Sequence, residues 1–384
     1  MFYPSELLNW VEQVSTHFPQ LTPLQAQVVA WYSFAVTLVQ SCGMSHVSYL
    51  LARLFNQPEN TVRQRLREAL YDAADKRGAQ RRDLDVVMCF APLLQWVLSL
   101  CHPDDERIWL ALDATTLRQT FTVLSVSVLM GGCAIPVAWA ILPATQPGAW
   151  KPHWLGLLAA LDSLCPDQPV MVLADRGLYA KWLFDAIVAR GWHPLLRINP
   201  QGSVCLRDSG QRLPLAHLRR QCRGHTWHGR AICFTGQQQL VCTLLVQWDA
   251  PQQDAWLLVT DLRPAHVSPS WYTLRMWIEA GFKALKSATF HWERTRMTDP
   301  ARTERLWLVL ALAGLRTALL APPLTPVDLS SAPLPARLNL FKRGLLAQLA
   351  DLLMQRPLSF YPLHMPTLPP PPYLEFATLL DTYP

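Results

Sequence analysis

The sequence predicts an α/β fold built around a mixed sheet, and three observations support this prediction. Short apolar runs typical of strands alternate with helical patterns between residues 107 and 198, and two of these runs end in an aspartate. A block of short β-type runs follows over 201–264. An amphipathic helical stretch, 270–286, comes directly after that block.

The composition is that of a large globular chain. Its 384 residues are 51% hydrophobic, which is enough for one large domain with smaller units around it. Lys and Arg (34) outnumber Asp and Glu (28), and the sequence pI is near 8.9. This mildly basic balance permits a polyanionic partner without requiring one.

The nine cysteines are scattered and form no C-x-x-C pair, which argues against a disulfide framework and against a zinc ribbon. We therefore expect reduced thiols and a cytoplasmic protein. The start of the chain lacks a basic region followed by an apolar run, so we expect no secretory signal. The most apolar segment, 306–315, is about half a membrane span long, so we expect a buried core helix and no membrane association.

Residues 1–85 have a helical pattern with a basic second half. Two short helical runs, 45–55 and 61–70, are separated by a turn that contains a proline. This arrangement is typical of a helix-turn-helix-like unit that contacts DNA. The alternative is an ordinary helical hairpin with a solvated basic face. The candidate DNA-binding residues on the second run are Arg63, Arg65 and Arg67.

Carboxylates lie at the ends of two predicted strands. One apolar run ends at Asp113 and a later one ends at Asp175, within an element order of β-β-β-α-β-α-β. A single aspartate after a strand is often a turn or cap residue. Open α/β sheets, however, build their sites at the carboxyl ends of strands. The order of elements resembles a ribonuclease-H-like nuclease core, and it predicts that Asp113 and Asp175 serve one site.

A polar stripe runs along the predicted helix 270–286. At about 100° per residue, Tyr272, Arg275, Glu279 and Lys286 share one narrow face. One interpretation is a salt-bridge ladder, because Arg275 and Glu279 are four residues apart. The other is an active site, which needs further carboxylates from elsewhere in the chain.

The two upstream aspartates favour the active site. Phosphoryl transfer at a DNA phosphodiester can use two divalent ions about 3.5 to 4 Å apart, held by three acidic side chains from separate elements. Asp113, Asp175 and Glu279 are the candidate catalytic residues and metal ligands. Hard oxygen donors favour two Mg²⁺ or Mn²⁺ ions over zinc.

The spacing Y-x2-R-x3-E-x6-K in the stripe resembles the Y-R-E-K signature of DDE transposases of the hairpin-forming, cut-and-paste insertion-sequence group. The sequences around the two aspartates, L-D-A-T-T and A-D-R-G, are similar to that family's first and second Asp motifs. A β insertion between the second aspartate and the glutamate is also a family feature. The resemblance covers about 107–319.

This resemblance implies roles for individual residues. Asp113, Asp175 and Glu279 would bind the metal ions. A tryptophan of the insertion would stack on a base flipped out during hairpin formation; Trp256 matches best, and Trp248 is the other candidate. The resemblance also implies that the phosphates of the transposon ends are held by Tyr272, Arg275 and Lys286.

The function implied is metal-dependent excision of an insertion sequence at its terminal inverted repeats, by way of hairpin intermediates, and strand transfer into target DNA. The partner would be double-stranded DNA, bound by a homodimer in the synaptic complex, and the setting would be the nucleoid of a prokaryotic cytoplasm. One alternative is a ribonuclease-H-like nuclease or domesticated transposase without strand transfer. Another is a non-catalytic DNA-binding regulator.

The chain is predicted to comprise five segments. They are a helical DNA-binding region (1–85), the first part of the catalytic core (100–200), an all-β insertion (201–264), the catalytic helix with the end of the core (265–320), and a Pro-rich C-terminal arm (321–384).

Overall fold

The computed structural model describes residues 4–76, 81–102, 104–145, 150–162, 168–248, 254–323 and 338–366. The chain divides into two compact units. The first unit comprises Met1–Gln168 and Met276–Pro366, and the described part of the second unit is Pro169–Arg275. Each unit combines helices with strands, so the predicted α/β class is confirmed. The division into five functional segments stays a prediction.

Helices form the start of the first unit: α1 Ser5–His17, α2 Pro23–Val39, α3 Met44–Phe55, α4 Glu59–Leu70 and α5 Phe90–Ser99. A capping box starts α2, because the Thr22 side chain accepts from the Gln25 backbone N–H and the Gln25 side chain accepts from the Thr22 backbone N–H. The two predicted short helices are present as α3 and α4. Asn56 joins them in the left-handed region at φ 49°.

Helix α2 is apolar on almost every side and lies inside the first unit, where its residues from Val28 to Thr37 are buried. Within the described residues, no single helix has the length and hydropathy of a membrane span. Among these residues, the bent pair Pro23–Val39 and Met44–Phe55 meets that test when the two helices are counted together.

Three antiparallel strands form the meander of the first unit, in the order β3-β2-β1: β1 Ile108–Leu117, β2 Phe121–Met130 and β3 Cys133–Pro143. The predicted meander is confirmed. Asp113 was expected at the end of its strand, but β1 continues for four residues beyond it, with Asp113 opposite Ser125 of β2. The strand residues before Asp113 are buried, whereas those from Asp113 to Thr116 are partly or fully exposed. The pairing continues because Thr115 and Thr116 suit a half-exposed strand that leads into a tight hairpin.

Helices cover the rest of the first unit: α6 Lys151–Ala159, α9 Met276–Lys283, α10 Pro300–Leu319 and α11 Leu340–Leu353. The expected core helix is present as α10, which is capped by Asp299 and buried over most of its length. Helix α11 packs on α10 at Gly344, where a Cβ would clash with the carbonyl oxygen of Thr317. Helix α11, which belongs to the predicted C-terminal arm, thus packs against α10. Most of the arm's prolines lie outside the described residues.

The second unit begins with a parallel pair, β4 Val170–Ala174 and β5 His193–Arg197, connected by α7 Lys181–Val188. The strands that follow are β6 Ser203–Leu206, β7 Arg212–Pro214, β8 Thr226–Cys233, β9 Leu240–Gln247 and β10 Trp256–Thr260. Their order is β4-β5-β10-β9-β8-β6-β7, and every pairing after β4-β5 is antiparallel. The predicted insertion therefore extends the sheet of β4 and β5.

The prediction that this insertion is all-β was wrong. It contains a short helix, α8 Leu215–Gln221, which follows Pro214. Leu215 and Leu218 are buried on one side of α8, and this i, i+3 spacing is helical. The pattern was missed because the helix lasts only two turns.

The stretch 270–286 was predicted as one α-helix, and that prediction was also wrong. A 3₁₀ segment, Pro269–Arg275, ends the second unit, α9 Met276–Lys283 begins the next part of the first unit, and a π-helical turn, Ala284–Ala288, follows. The turn is closed by the N–H of Thr289, which donates to the carbonyl of Ala284 five residues earlier. Because 3₁₀ and π geometries differ from 100° per residue, the four-residue stripe is not one straight face.

Candidate active site

Asp175 directly follows β4 in the second unit and lies beside two residues of the predicted signature. Its Oδ1 accepts a hydrogen bond of 2.6 Å from the backbone N–H of Arg176. The Tyr272 hydroxyl donates to the carbonyl of Ala174 at 3.4 Å and lies 3.5 Å from Asp175 Oδ1. Arg275 Nη2 lies 3.4 Å from Asp175 Oδ2. The 3₁₀ segment therefore brings a phenol and a guanidinium group to this carboxylate.

The two candidate tryptophans of the second unit have different surroundings. Trp256 starts β10 and meets Tyr272 edge to face, with ring centroids 5.3 Å apart. Trp248 lies after β9, and the guanidinium groups of Arg219 and Arg223 are each 5.6 Å from its ring centroid. Of the two, Trp256 is the one that contacts a residue beside Asp175.

Asp113 lies on β1 in the first unit, and Lys286 reaches the same part of that strand. Asp113 Oδ1 accepts from the backbone N–H of Ala114 at 2.9 Å. Lys286 Nζ donates to the Thr115 hydroxyl and, at 2.6 Å, to the Thr116 carbonyl. Thr115 is two residues beyond Asp113, so the two side chains share one face of β1.

The position of Lys286 has an electrostatic consequence. The pKa of the Lys286 ammonium group is lowered, because the effect of burial exceeds the opposing effect of the nearby carboxylates of Asp113 and Glu293. The π-helical turn carries Lys286 into this half-buried position. The structure therefore places a cation of the signature within the electrostatic range of the first aspartate.

Glu279 lies exposed on α9, and the helix behind it packs closely on β3. Ile278 and Phe282 are buried on the inner side of α9. Gly281 allows the contact, because a Cβ there would stand 2.6 Å from the carbonyl oxygen of Ala134. Sequence reasoning missed Gly281, although a glycine inside an amphipathic helix is a signal of close packing.

The three predicted carboxylates are divided between the units, with Asp113 and Glu279 in the first and Asp175 in the second. Among the residues that the structure describes, no group of three or more His, Cys, Asp or Glu side chains is arranged to hold a metal ion. The donor atoms themselves are carboxylate oxygens, which are the type that Mg²⁺ and Mn²⁺ prefer. The metal-binding role of these residues stays a prediction.

The three basic residues predicted to contact DNA are on α4, whose buried side is formed by Val62, Leu66 and Leu70. Arg63 donates to the Ser45 hydroxyl at 2.6 Å, and Arg65 donates to the Gln57 side chain at 2.8 Å. Arg67 is exposed and shares a side of α4 with Arg63, whereas Arg65 lies on another side. Their contact with DNA stays a prediction.

Comparison with known proteins gives a family match for the middle of the chain. Residues 151–315 match the family model described as "Transposase DDE domain". The matched region includes Asp175, Glu279 and the signature residues, and it begins after Asp113. A comparison with curated protein sequences gave no match. Residues 151–315 are thus similar to a transposase DDE domain, which supports a DDE transposase with DNA as its partner.

Proposed function

We propose that this chain is a DNA transposase of the Y-R-E-K type. It would excise an insertion sequence at its terminal inverted repeats through hairpin intermediates and join the element to target DNA. One observation carries the proposal: within each unit, a predicted catalytic aspartate has residues of the signature beside it. Tyr272 and Arg275 lie beside Asp175, and Lys286 binds the strand of Asp113.

Asp113, Asp175 and Glu279 are the residues that would hold two Mg²⁺ or Mn²⁺ ions. When bound, these ions would activate the attacking oxygen and stabilise the leaving 3′ oxygen. The chain contributes orientation, because each aspartate accepts a hydrogen bond from the backbone N–H of the residue that follows it. That bond holds one oxygen of each carboxylate in a fixed direction.

The signature residues would hold the DNA. Arg275 offers a planar guanidinium group that suits a phosphate, and Tyr272 offers a phenol donor near the other oxygen of the Asp175 carboxylate. Lys286 is a compact positive charge whose position is set by Thr115 and the Thr116 carbonyl. Together they would align the scissile phosphate without undergoing a chemical change themselves.

Trp256 would receive a base flipped out of the DNA end. An aromatic face can offset part of the cost of unstacking a base. The edge-to-face contact restrains the Trp256 ring against Tyr272, whose hydroxyl lies 3.5 Å from Asp175 Oδ1. Two copies of the chain would bridge the two ends of the element.

The test is cleavage of a terminal inverted repeat, identified as a repeat in the DNA that flanks the gene. We expect Asp113→Ala, Asp175→Ala and Glu279→Ala each to abolish Mg²⁺-dependent cleavage while retaining DNA binding in Ca²⁺, because the removed carboxylates act in chemistry. Asp208→Ala, at an exposed position in the second unit, is the matched control and should cleave normally. Normal cleavage by any of the three variants would contradict the assignment of that residue.

Precleaved ends supplied with a target plasmid separate a transposase from a nuclease. Joined products support strand transfer, whereas cleavage without joining would favour a ribonuclease-H-like nuclease. Binding without cleavage under any divalent metal would favour a DNA-binding regulator.

A further inference from the structure

One carboxylate in the second unit is surrounded by three guanidinium groups. Asp254 precedes β10, and its Oδ2 lies 2.8 Å from Arg176 Nη1 and 3.5 Å from Arg197 Nη2. Its Oδ1 lies 3.2 Å from Arg219 Nη1. We call Arg176, Arg197 and Arg219 the arginine cluster.

Three separate elements supply the arginine cluster. Arg176 follows Asp175 at the end of β4, Arg197 ends β5, and Arg219 lies on α8. Because β10 pairs with β5, the start of β10 brings Asp254 to the end of β5. The cluster is thus a product of the tertiary fold, and it begins one residue from a predicted catalytic aspartate.

The arginine cluster carries more positive charge than Asp254 can neutralise. Three guanidinium groups around one carboxylate leave two positive charges in excess, and each group has several N–H donors in a fixed planar fork. The buried Nε atoms of Arg197 and Arg219 have no hydrogen-bond partner within the described part of the chain. An anion with more oxygen atoms than a carboxylate would use more of these donors.

The arginine cluster is also accessible from solvent. The side chains of Arg176 and Asp254 are 42% and 32% exposed, whereas Arg197, at 15%, forms the inner part. Arg219 contacts the Trp248 ring as well, and Arg223 contacts the same ring. Guanidinium groups beside an aromatic face are a combination that nucleic-acid surfaces use.

We propose that the arginine cluster binds a backbone phosphate of the DNA substrate and that Asp254 occupies this position in the DNA-free chain. A phosphate would displace the Asp254 carboxylate and take over its hydrogen bonds to the arginines. Asp254 would then act as an internal competitor that lowers the affinity of the chain for DNA, because a phosphate that enters the cluster must first displace the Asp254 carboxylate. The identification of the anion as DNA rests on the proposed function.

The first experiment measures binding of a fluorescently labelled DNA duplex to the full chain in EDTA, over a range of salt concentrations. Asp254→Asn removes the competing charge and keeps the side-chain shape, so we expect about three- to tenfold tighter binding. Arg197→Gln and Arg219→Gln should each weaken binding and reduce the slope of log affinity against log salt by about one unit. The gain from Asp254→Asn should disappear when it is combined with Arg219→Gln.

Arg212→Gln is the matched control, because it removes the same charge from an exposed position of the second unit. It should change affinity and salt slope less than Arg219→Gln does. A purely structural role for Asp254 predicts a lower melting temperature for Asp254→Asn with unchanged or weaker DNA binding. That result would overturn the inference.

A second measurement uses the unaltered chain, so that it does not depend on folding of the variants. Modification by an arginine-specific dicarbonyl reagent, followed by mass spectrometry, should show protection of Arg176 and Arg219 when duplex DNA is present. Equal modification with and without DNA would contradict the proposal.

Inorganic phosphate tests the other source of the same chemistry. If phosphate raises the melting temperature more than chloride at equal ionic strength, and DNA leaves the arginines unprotected, the cluster is a site for free phosphate and the DNA assignment fails. These assays contain no divalent metal and measure no cleavage. The binding inference can therefore fail while cleavage and strand transfer are observed. Equally, cleavage can be absent while the arginine cluster binds DNA.

Discussion

Gly281 on α9 lies so close to Ala134 on β3 that a Cβ at position 281 would stand 2.6 Å from the Ala134 carbonyl oxygen. The helix that carries Glu279 is therefore held against the meander that carries Asp113 by a contact only glycine permits. Neither partner in this contact has a polar side chain, so its effect on the site is purely one of position.

Gly281→Ala should displace α9 and lower cleavage activity. Overpacking at such a contact typically costs about 1 to 3 kcal/mol of unfolding free energy. Denaturant unfolding and the cleavage assay measure the two effects. Gly156→Ala on α6 is the control, because a Cβ there meets no atom within 4 Å; it should be neutral or slightly stabilising. Equal behaviour of the two variants would show that the contact with Ala134 does not constrain α9.

Lys286→Ala should slow processing of DNA ends while leaving the fold intact, because it removes the cation next to Asp113. Thr115→Val should produce part of the same loss, since it removes one acceptor that positions Lys286; a hydrogen bond to a charged group contributes about 1.5 to 3 kcal/mol. Single-turnover cleavage measures both. Lys283→Ala, on the exposed side of α9, is the control for loss of a nearby positive charge and should have a smaller effect.

Trp256→Ala should reduce hairpin formation from nicked ends and leave nicking itself unchanged. Stacking of a base on an aromatic side chain is worth about 1 to 3 kcal/mol, so we expect a loss of about five- to 150-fold. Gel analysis of a nicked end and the fluorescence of 2-aminopurine at the flipped position provide the measurements. Trp248→Ala is the comparison, and a larger loss of hairpin in that variant would assign the stacking role to Trp248.

Arg305→Met should destabilise the first unit by about 2 to 4 kcal/mol. Arg305 is only 7% exposed and donates to the carbonyls of Leu70 and Leu84 and to Asp72, so its loss leaves buried acceptors without their donor. Arg302→Met removes a pair with Asp75 whose arginine is 33% exposed, and we expect less than about 1 kcal/mol. Urea unfolding of both variants checks the difference. If both variants lost a similar amount of unfolding free energy, the burial of Arg305 would not increase the stability that its hydrogen bonds provide.

The His193–Asp261 pair should make stability depend on pH. Asp261, 2.9 Å from His193 Nδ1, raises the pKa of the imidazole above its usual value near 6.5, and burial of the ring opposes this in part. A raised pKa in the folded state means that the pair stabilises fully below about pH 6.5 and that this contribution is lost as pH rises through the folded pKa of His193. Melting temperatures measured between about pH 5 and about pH 9 should fall as this contribution is lost. In the Asp261→Asn variant, the melting temperature should depend less on pH.

Much of this fold follows from local patterns. Apolar alternation and turn residues predict the meander of β1 to β3, the strand before Asp175, the α3–α4 pair and the buried helix α10, because each depends on neighbours within about ten residues. The spacing of Tyr272, Arg275, Glu279 and Lys286 is likewise visible in the chain. The sequence alone was therefore sufficient to nominate the site residues.

Other features depend on residues far apart in sequence, and only the tertiary structure decides them. The change from 3₁₀ to α to π geometry between Pro269 and Ala288 depends on packing that a helical wheel does not contain. The contact of Gly281 with Ala134 joins residues from distant parts of the chain. The gathering of Arg176, Arg197 and Arg219 around Asp254 likewise depends on how β5 pairs with β10. Periodicity reports which residues face a core, but strand pairing and close packing determine which side chains meet there.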